Sequence, residues 1–190
     1  MSLLLIIEQD FKKIDFTKEE FQKAEYDTCT FIGCNFSETF LSDITFIECE
    51  FINCNLSGVK VRNTTFKEAV FTDCKLLGIP FNDCNHFLMS FTFNQSNLSF
   101  SSFYKCNGSK TVFDNCILEN IDFSEANFNQ AKFINCNLFQ SVFNNSNLEK
   151  ADFRTSFNFY INPEINRLKQ AKFSKEGALG LLESYNLDIE

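Results

Sequence analysis

A large apolar side chain returns at every fifth position through most of this chain. In the stretch FSEANFNQAKFINCNL, residues 123–138, the recurring residues are Phe123, Phe128, Phe133 and Leu138. An α-helix repeats every 3.6 residues and a β-strand every two, so neither element has this period. A backbone that turns a corner about every five residues would bring one large side chain inward on each side. The spacing therefore predicts a coil built from short sides.

The repeat also has a longer period of four quintets. One register holds from Phe11 to Phe81 and a second, offset by two residues, holds from Phe93 to Phe153, so the join lies within residues 82–93. Like residues recur about every twenty positions, as a leucine column and a phenylalanine column. These columns are Leu56, Leu76, Leu98, Leu118, Leu138 and Phe11, Phe31, Phe51, Phe71, Phe93, Phe113, Phe133, Phe153. The sequence therefore predicts a solenoid with four sides per turn, in which the same residue type stacks on itself from one turn to the next.

A second position, two residues before each large one, takes small side chains. All nine cysteines lie there if His86 is counted as the large residue after Cys84. Within residues 1–160, no charged residue occupies a large position and only Glu19 occupies a small one. Unpaired charges are rarely buried, so two positions of each quintet face inward and three face water. Glu19 predicts that the first turn is frayed or open.

The cysteines also allow a metal-binding interpretation. Cys29, Cys34, Cys49 and Cys54 read as C-x4-C-x14-C-x4-C, a spacing that suggests zinc. Buried small residues explain the same four cysteines, and free cysteine is commonly buried as a small hydrophobe. We therefore expect no metal site, no cofactor and, in a cytoplasmic chain, no disulfide. His86 is the only histidine, and the sequence offers no orienting partner for a general base, so we expect no catalytic residue.

The quintets CNLSG (54–58), ANFNQ (126–130) and SNLEK (146–150) resemble the pentapeptide-repeat family over residues 11 to 157. That resemblance implies an all-β fold, a right-handed quadrilateral parallel β-helix of about seven coils. We divide the chain into an N-terminal segment (1–10), the β-helix (11–160, with the register shift at 82–93) and a C-terminal extension (161–190).

The C-terminal extension carries a helical pattern. Ser174 suits an N-cap, and the apolar spacing predicts a short α-helix over about 175–185 that ends at Asn186. This helix could cap the solenoid or pair with a second copy across a twofold axis. The candidate dimerisation residues are Phe173, Ala178, Leu179, Leu181, Leu182 and Tyr185.

A solenoid with such a tail looks like the Qnr-type quinolone-resistance and microcin-immunity group. The resemblance implies a non-enzymatic homodimer that mimics duplex DNA, binds DNA gyrase or topoisomerase IV, and protects the enzyme from quinolones or a peptide toxin. The net charge of −8 argues against direct binding of nucleic acid. Residues 1–92, with 14 acidic and 8 basic side chains, carry most of it, although no face is strongly acidic. Candidate contact residues are Glu48, Glu50, Glu68, Asp73, Asp83, His86, Phe87 and Leu88.

Two further points bound the function. A scaffold protein with a different partner is the alternative, because one solenoid fold serves many uses. The opening apolar run is too short for a signal-peptide core, and no stretch reaches 18 uninterrupted apolar residues. We therefore expect a cytoplasmic protein without a membrane partner.

Overall fold

The computed structural model describes residues 4–87, 89–185 and 187–188. Its strands are short and all pair in parallel with the equivalent strand one coil away, so the predicted all-β, four-sided solenoid is confirmed. The strands are β1 (Leu4–Ile7), β2 (Asp10–Lys12), β3 (Ala24–Asp27), β4 (Thr30–Ile32), β5 (Thr45–Ile47), β6 (Glu50–Ile52), β7 (Thr65–Lys67), β8 (Ala69–Thr72), β9 (Phe91–Asn94), β10 (Val112–Asp114) and β11 (Lys132–Ile134).

The strands occupy two of the four faces. Face 1 contains β1, β3, β5 and β7 in that order, and face 2 contains β2, β4, β6, β8, β9, β10 and β11. Elsewhere the coils pair through isolated bridges. Face 3 runs through Asn35, Asn55 and Lys75 to Phe157, whereas face 4 includes the pair Phe40 and Lys60.

The interior is a stack of aromatic rings with small side chains beside them. In the face 2 column the rings of Phe31 and Phe51 stack 4.9 Å apart, and those of Phe113 and Phe133 stack 5.0 Å apart. Parallel offset rings at this distance stabilise a core beyond the area they bury. All nine cysteines are buried and free, as the small-position pattern predicted. No Asp, Glu, Lys or Arg is buried among the residues that the structure describes.

Each regular corner contains one residue in the left-handed region, two positions after the large residue. The φ angles there run from 50° to 68°, and most of these residues are not glycine. Such a conformation costs a side-chain-bearing residue about 1–2 kcal/mol. This conformation points the N–H of the corner residue along the axis of the rod, where it donates to a carbonyl of the next coil. The Glu48 N–H, for example, donates to the Lys67 carbonyl at 2.8 Å. Hydrogen bonding between coils therefore offsets the strain.

The first coil and the join depart from the repeat. In the first coil the N–H groups of Lys18 and Glu19 both donate to the Asp15 carbonyl, and Glu19 is exposed. At the join, the expectation that His86 fills a large inward position is wrong, because His86 is exposed. Asn85 still donates its N–H to the Thr64 carbonyl, and the two extra residues lift 86 and 87 off the coil.

Phe91 takes over the missing inward position. It pairs with Ala69 in a column of small residues, yet its side chain is only 5% exposed. Its ring lies 5.7 Å from Phe66 and 5.3 Å from Phe81. A large side chain at a small position thus packs into the core at the join, where Met89 is also buried.

The C-terminal extension contains no α-helix among its described residues, so the prediction of one over 175–185 is wrong. The chain instead forms two 3-10 segments, Gly177–Leu181 and Glu183–Tyr185, besides a further 3-10 turn at Phe81–Asp83. Glycines 177 and 180 disfavour a regular helix, and a side chain at either would crowd Phe159. Ser174 does cap this turn, since its Oγ accepts the Gly177 N–H at 2.8 Å. Asn186, the predicted end, lies outside the described residues.

Parallel pairing continues beyond residue 160, where the sequence repeat fades. Arg167 pairs with Asn147, and Lys172 pairs with Asp152. The ring of Phe173 stacks on that of Phe153 at 5.4 Å, almost parallel. The 3-10 segments therefore follow one further partial coil and pack onto the end of the rod.

Candidate interaction surfaces

Three of the predicted contact residues share one lengthwise edge. This face 1–2 edge is where face 1 turns into face 2. Glu48 and Glu68 occupy its corner on consecutive coils, and Glu50 stands beside Glu48 at the start of β6. All three are exposed, and none forms an ion pair within the described ranges. The structure therefore gathers these carboxylates into a row with one or two per coil.

The other predicted contact residues are dispersed. Asp73 lies on the corner between faces 2 and 3, and Asp83 lies in the 3-10 turn between faces 4 and 1. His86 is exposed and its Nε2 is 3.0 Å from the Asn82 carbonyl, while Phe87 is 73% exposed. Leu88 lies outside the described residues. The eight candidates therefore do not form a single patch, and their role remains a prediction.

The same edge becomes basic in the C-terminal half of the rod. Its exposed residues there include five lysines, and none of them forms an ion pair among residues 4–87, 89–185 and 187–188. They are Lys110, Lys132, Lys150, Lys169 and Lys172. Reasoning from net charge missed this row. Sorting the charged residues by corner in the second register would have found it.

The carboxylates beside these lysines are already neutralised by arginines. Asp152 is 2.7 Å from the Arg154 guanidinium, and Glu149 is 2.8 Å from that of Arg167. The hydrogen bond from Arg154 holds the pKa of Asp152 below its usual range. Both carboxylates are therefore engaged by arginines rather than by the lysines of this half.

The buried cysteines have a structural role that the geometry makes explicit. Cys49 Sγ donates to the Tyr26 carbonyl at 3.3 Å, and Cys54 Sγ donates to the Phe31 carbonyl at the same distance. Ser146 makes the equivalent bond to Phe123 at 2.8 Å. The small position thus satisfies the carbonyl of a large residue on the preceding coil. This explains why serine, threonine and cysteine recur there.

Burial also makes the thiols of Cys49 and Cys106 poor nucleophiles and poor metal ligands. Desolvation raises the pKa of Cys49 to about 12 and that of Cys106 to about 12. The thiolate is the reactive form of cysteine, so a thiol with this pKa is protonated at neutral pH. Within the described part of the chain, no three His, Cys, Asp or Glu residues are arranged to hold a metal ion.

The predicted dimerisation residues divide into two groups. Phe173 and Leu181 pack against the core of the rod and Ala178 is half-buried. Leu179 (51% exposed), Leu182 and Tyr185 face outward, and the Tyr185 hydroxyl donates to Glu164 at 3.0 Å. The tail therefore covers the end of the rod with one side and presents apolar side chains on the other.

None of the helices in the described residues has both the length and the apolar character needed to cross a bilayer. Comparison with solved structures finds a full-length likeness. Two trypsin-treated variants of QnrB1, a plasmid-mediated fluoroquinolone resistance protein, each match with a TM-score of 0.64 and 18% identity. One match covers 98% of this chain and the other 100%, and both cover 100% of the QnrB1 chain. At this identity the likeness establishes the fold.

No curated protein matches the chain in sequence. Two family models do match. The model described as a pentapeptide repeat region matches residues 24–91, and the model described as pentapeptide repeats (8 copies) matches residues 92–130 and 121–156. Together they span most of the solenoid and more than half of the chain. The chain therefore belongs to the pentapeptide-repeat family.

Proposed function

We propose that this chain is a non-enzymatic binding protein of the cytoplasm that occupies the DNA-binding surface of a type II topoisomerase. Binding there would protect DNA gyrase or topoisomerase IV from quinolones or from a peptide toxin. The observation that carries the proposal is the end-to-end likeness of the fold to QnrB1, a fluoroquinolone resistance protein.

The acidic row on the face 1–2 edge gives the proposal a physical basis. Successive coils of a parallel β-solenoid are roughly 4.8 Å apart, so Glu48, Glu50 and Glu68 place carboxylates at close, regular intervals along a rigid rod. A protein surface that binds duplex DNA is basic and attracts such a row. Rigidity supports the same conclusion, because a preformed row loses little conformational entropy on binding.

Homodimerisation through the tail is part of this proposal. Leu179, Leu182 and Tyr185 are apolar and exposed at the end of the rod, which suits contact with an identical tail across a twofold axis. Replacing Leu179 and Leu182 by glutamate should convert the dimer into a monomer in analytical ultracentrifugation. Exposed Leu187, replaced by glutamate, provides a control close in sequence. An unchanged dimer in the double variant would place the interface elsewhere.

A binding protein for a different partner is the second candidate. It is favoured by the dispersion of Asp73 and Asp83 away from the acidic row, and by the lysines that follow that row. A basic DNA-binding surface would contact only half of such an edge favourably. The response of purified topoisomerase to the protein distinguishes the two candidate functions.

The decisive experiment is a gyrase supercoiling assay with and without a fluoroquinolone. We expect the protein to restore supercoiling at inhibitory drug concentrations, or to inhibit it at high protein concentration. Glu48→Lys with Glu68→Lys should remove the effect, because the row becomes repulsive to a basic surface. Glu19→Lys with Glu20→Lys makes the same change in net charge at two exposed residues of the first coil. Absence of any effect from a folded protein would favour the second candidate.

A further inference from the structure

The face 1–2 edge carries opposite charges in its two halves. Its N-terminal half, up to β8, contains six carboxylates and a single lysine, Lys67. The carboxylates are Glu8, Asp10, Asp27, Glu48, Glu50 and Glu68. The C-terminal half, from Lys110 onward, presents the five unpaired lysines described above. A rod whose net charge is −8 therefore has one edge that changes sign along its length.

The charges on this edge are available to another molecule. Within the described ranges, Asp10 is the one carboxylate of the acidic half in an ion pair, with Lys12 at 2.8 Å. The carboxylates of the basic half, Glu149 and Asp152, are both held by arginines. Each half consequently has charges that no group of the same chain neutralises.

Between the two halves, residues 85–92 contain no Asp, Glu, Lys or Arg, and the middle of the edge is partly apolar. Here the outward residues beside the corner on face 2 are Val70, Thr92 and Val112, all half-buried. Phe87, which the two-residue insertion lifts off the coil, is 73% exposed on the face 1 side. An exposed phenylalanine between two charged rows resembles the centre of an interface, where apolar contacts are surrounded by polar ones.

We propose that two copies of this chain associate side by side along the face 1–2 edge, antiparallel, about a twofold axis near Phe87. In that arrangement the acidic half of each rod lies along the basic half of the other. The two contacts are equivalent, as a twofold interface requires. Because the coils are evenly spaced, a coil at a given distance before the axis in one rod faces the coil at the same distance beyond the axis in the other rod.

An axis between the coil of Phe87 and the coil of Lys110 aligns the charges. Glu68 then faces Lys132, which lies as many coils beyond the axis as Glu68 lies before it. One coil further out, Glu48 and Glu50 face Lys150. The outermost matched coils bring Asp27 opposite Lys169 and Lys172.

A second copy fits this edge better than a nucleic acid does. A polyanion would be attracted to the five lysines but repelled by the carboxylates of the same edge and by the net charge. A second rod, by contrast, satisfies both halves at once. This inference does not depend on the proposed function. The association would nevertheless affect that function, because it would cover Glu48, Glu50 and Glu68.

Charge reversal tests the arrangement. One variant carries Glu48→Lys and Glu68→Lys, and a second carries Lys132→Glu and Lys150→Glu. In about 50 mM salt, where charges act over more than 10 Å, the wild-type chain should sediment as an assembly with about twice the mass of either variant. In about 500 mM salt the three proteins should sediment alike, because screening removes the attraction.

Mixing the two variants provides the critical result. In a mixed pair both contacts are again attractive. In one contact the reversed residues of the two chains face each other, and in the other contact both chains keep their original residues. An equimolar mixture should therefore regain the wild-type mass as a one-to-one complex. One chain with all four substitutions should regain it alone. Circular dichroism of each variant checks that the fold is intact, and Glu19→Lys with Glu20→Lys controls for the change in net charge.

Three outcomes would overturn the proposal. The first is an unchanged assembly in both reversal variants, which would leave the tail as the sole interface. The second is a loss of assembly that neither the mixture nor the four-substitution chain restores. The third is binding of a labelled 30-base-pair duplex, measured by fluorescence anisotropy, that depends on Lys132 and Lys150 while self-association does not.

Discussion

Face 1 takes two different backbone forms in the two halves of the rod. In the N-terminal half it is a sheet formed by β3, β5 and β7. In the C-terminal half the same face is reduced to isolated pairings of Asn107, Asn127 and Asn147. Its corners there are tight turns, since the Ala131 N–H donates to the Phe128 carbonyl three residues earlier. The large inward residues alone do not account for this difference.

The residue just before the large one differs between the two halves. In the sheet half of face 1 this residue is Leu5, Glu25, Thr45 or Thr65, and the two β-branched threonines favour strands. In the turn half it is asparagine, whose side-chain oxygen accepts the N–H two residues later. Asn127 accepts the Asn129 N–H at 3.2 Å in this way. Such Asx turns compete with the extended backbone.

Face 2 shows the same switch within one column. Val112 and Lys132 precede large residues in β10 and β11, but one coil later the position is Asp152. Asp152 accepts the Arg154 N–H at 3.2 Å, and the Ser156 N–H donates to the Phe153 carbonyl at 3.1 Å. The sheet ends at this coil. The Asx turn at this position therefore accompanies the end of the sheet on face 2.

The largest expected effect concerns the join that separates the two halves. Phe91→Ala would leave a cavity beside the rings of Phe66 and Phe81, so we expect a loss of about 3–5 kcal/mol in the free energy of unfolding. Urea denaturation followed by circular dichroism measures it. Phe87→Ala removes the same atoms from an exposed position of the same insertion and should cost less than about 0.5 kcal/mol. Equal losses in the two variants would mean that Phe91 does not hold the halves together.

High pH should destabilise both halves through their buried thiols. The pKa of Cys49 and of Cys106 is about 12 in the fold, above the value of an unfolded cysteine. The folded state therefore holds the proton more tightly. The contribution is fully present below the unfolded pKa and is lost as pH rises towards 12. With an unfolded pKa of about 8.5, each thiol should lower the free energy of unfolding by about 2 kcal/mol at pH 10.

Serine substitutions isolate this effect in each half. Cys49→Ser and Cys106→Ser have no group that ionises near pH 10, so each variant should lose less stability than the wild type between pH 8 and pH 10. Urea denaturation at the two pH values gives the difference. An identical pH dependence in the wild type and both variants would show that these thiols do not control alkaline unfolding.

The third prediction concerns the first coil after the join. At Gly108 an added Cβ would lie 2.4 Å from a ring carbon of Phe128, because that ring occupies the space of the missing side chain. Gly108→Ala should therefore destabilise the protein by about 1–3 kcal/mol through overpacking, as measured by urea denaturation. Gly78, a corner glycine with φ +67° and no atom within 4 Å of the added Cβ, provides the control. Gly78→Asn should be nearly neutral, since asparagine tolerates this conformation. Equal effects would remove packing as the reason for Gly108.

Much of this architecture is readable in the sequence because the five-residue period leaves only one way to bury its large residues. The four faces, the buried cysteines and the position of the join all follow from it. His86 was misplaced because a strict count of five made it a large residue. The count could not show that Phe91, at a small position, reaches the same space.

Two other features were not predicted from the sequence, for different reasons. The apolar spacing of the tail is helical, but the contact of Phe159 with glycines 177 and 180 involves a residue some twenty positions away. Local sequence cannot show such a contact, so the 3-10 form was missed. The change of charge along the face 1–2 edge was hidden for another reason. The charged residues of this edge fall at three different positions of the quintet. They form a row only when the residues around each corner between faces 1 and 2 are grouped together.

The smallest effect tests the difference between the two forms of face 1 directly. Asn127 accepts the Asn129 N–H and also joins a ladder, donating to Asn107 at 3.0 Å and accepting from Asn147 at 2.9 Å. Asn127→Ala should cost about 0.5–1.5 kcal/mol for these exposed bonds. Thr45→Ala removes the equivalent residue from strand β5 in the sheet half. It should cost less, because a strand does not depend on a side-chain bond. Urea denaturation of both variants gives the comparison, and a larger loss for Thr45→Ala would show that the Asx bond does not maintain the turn form.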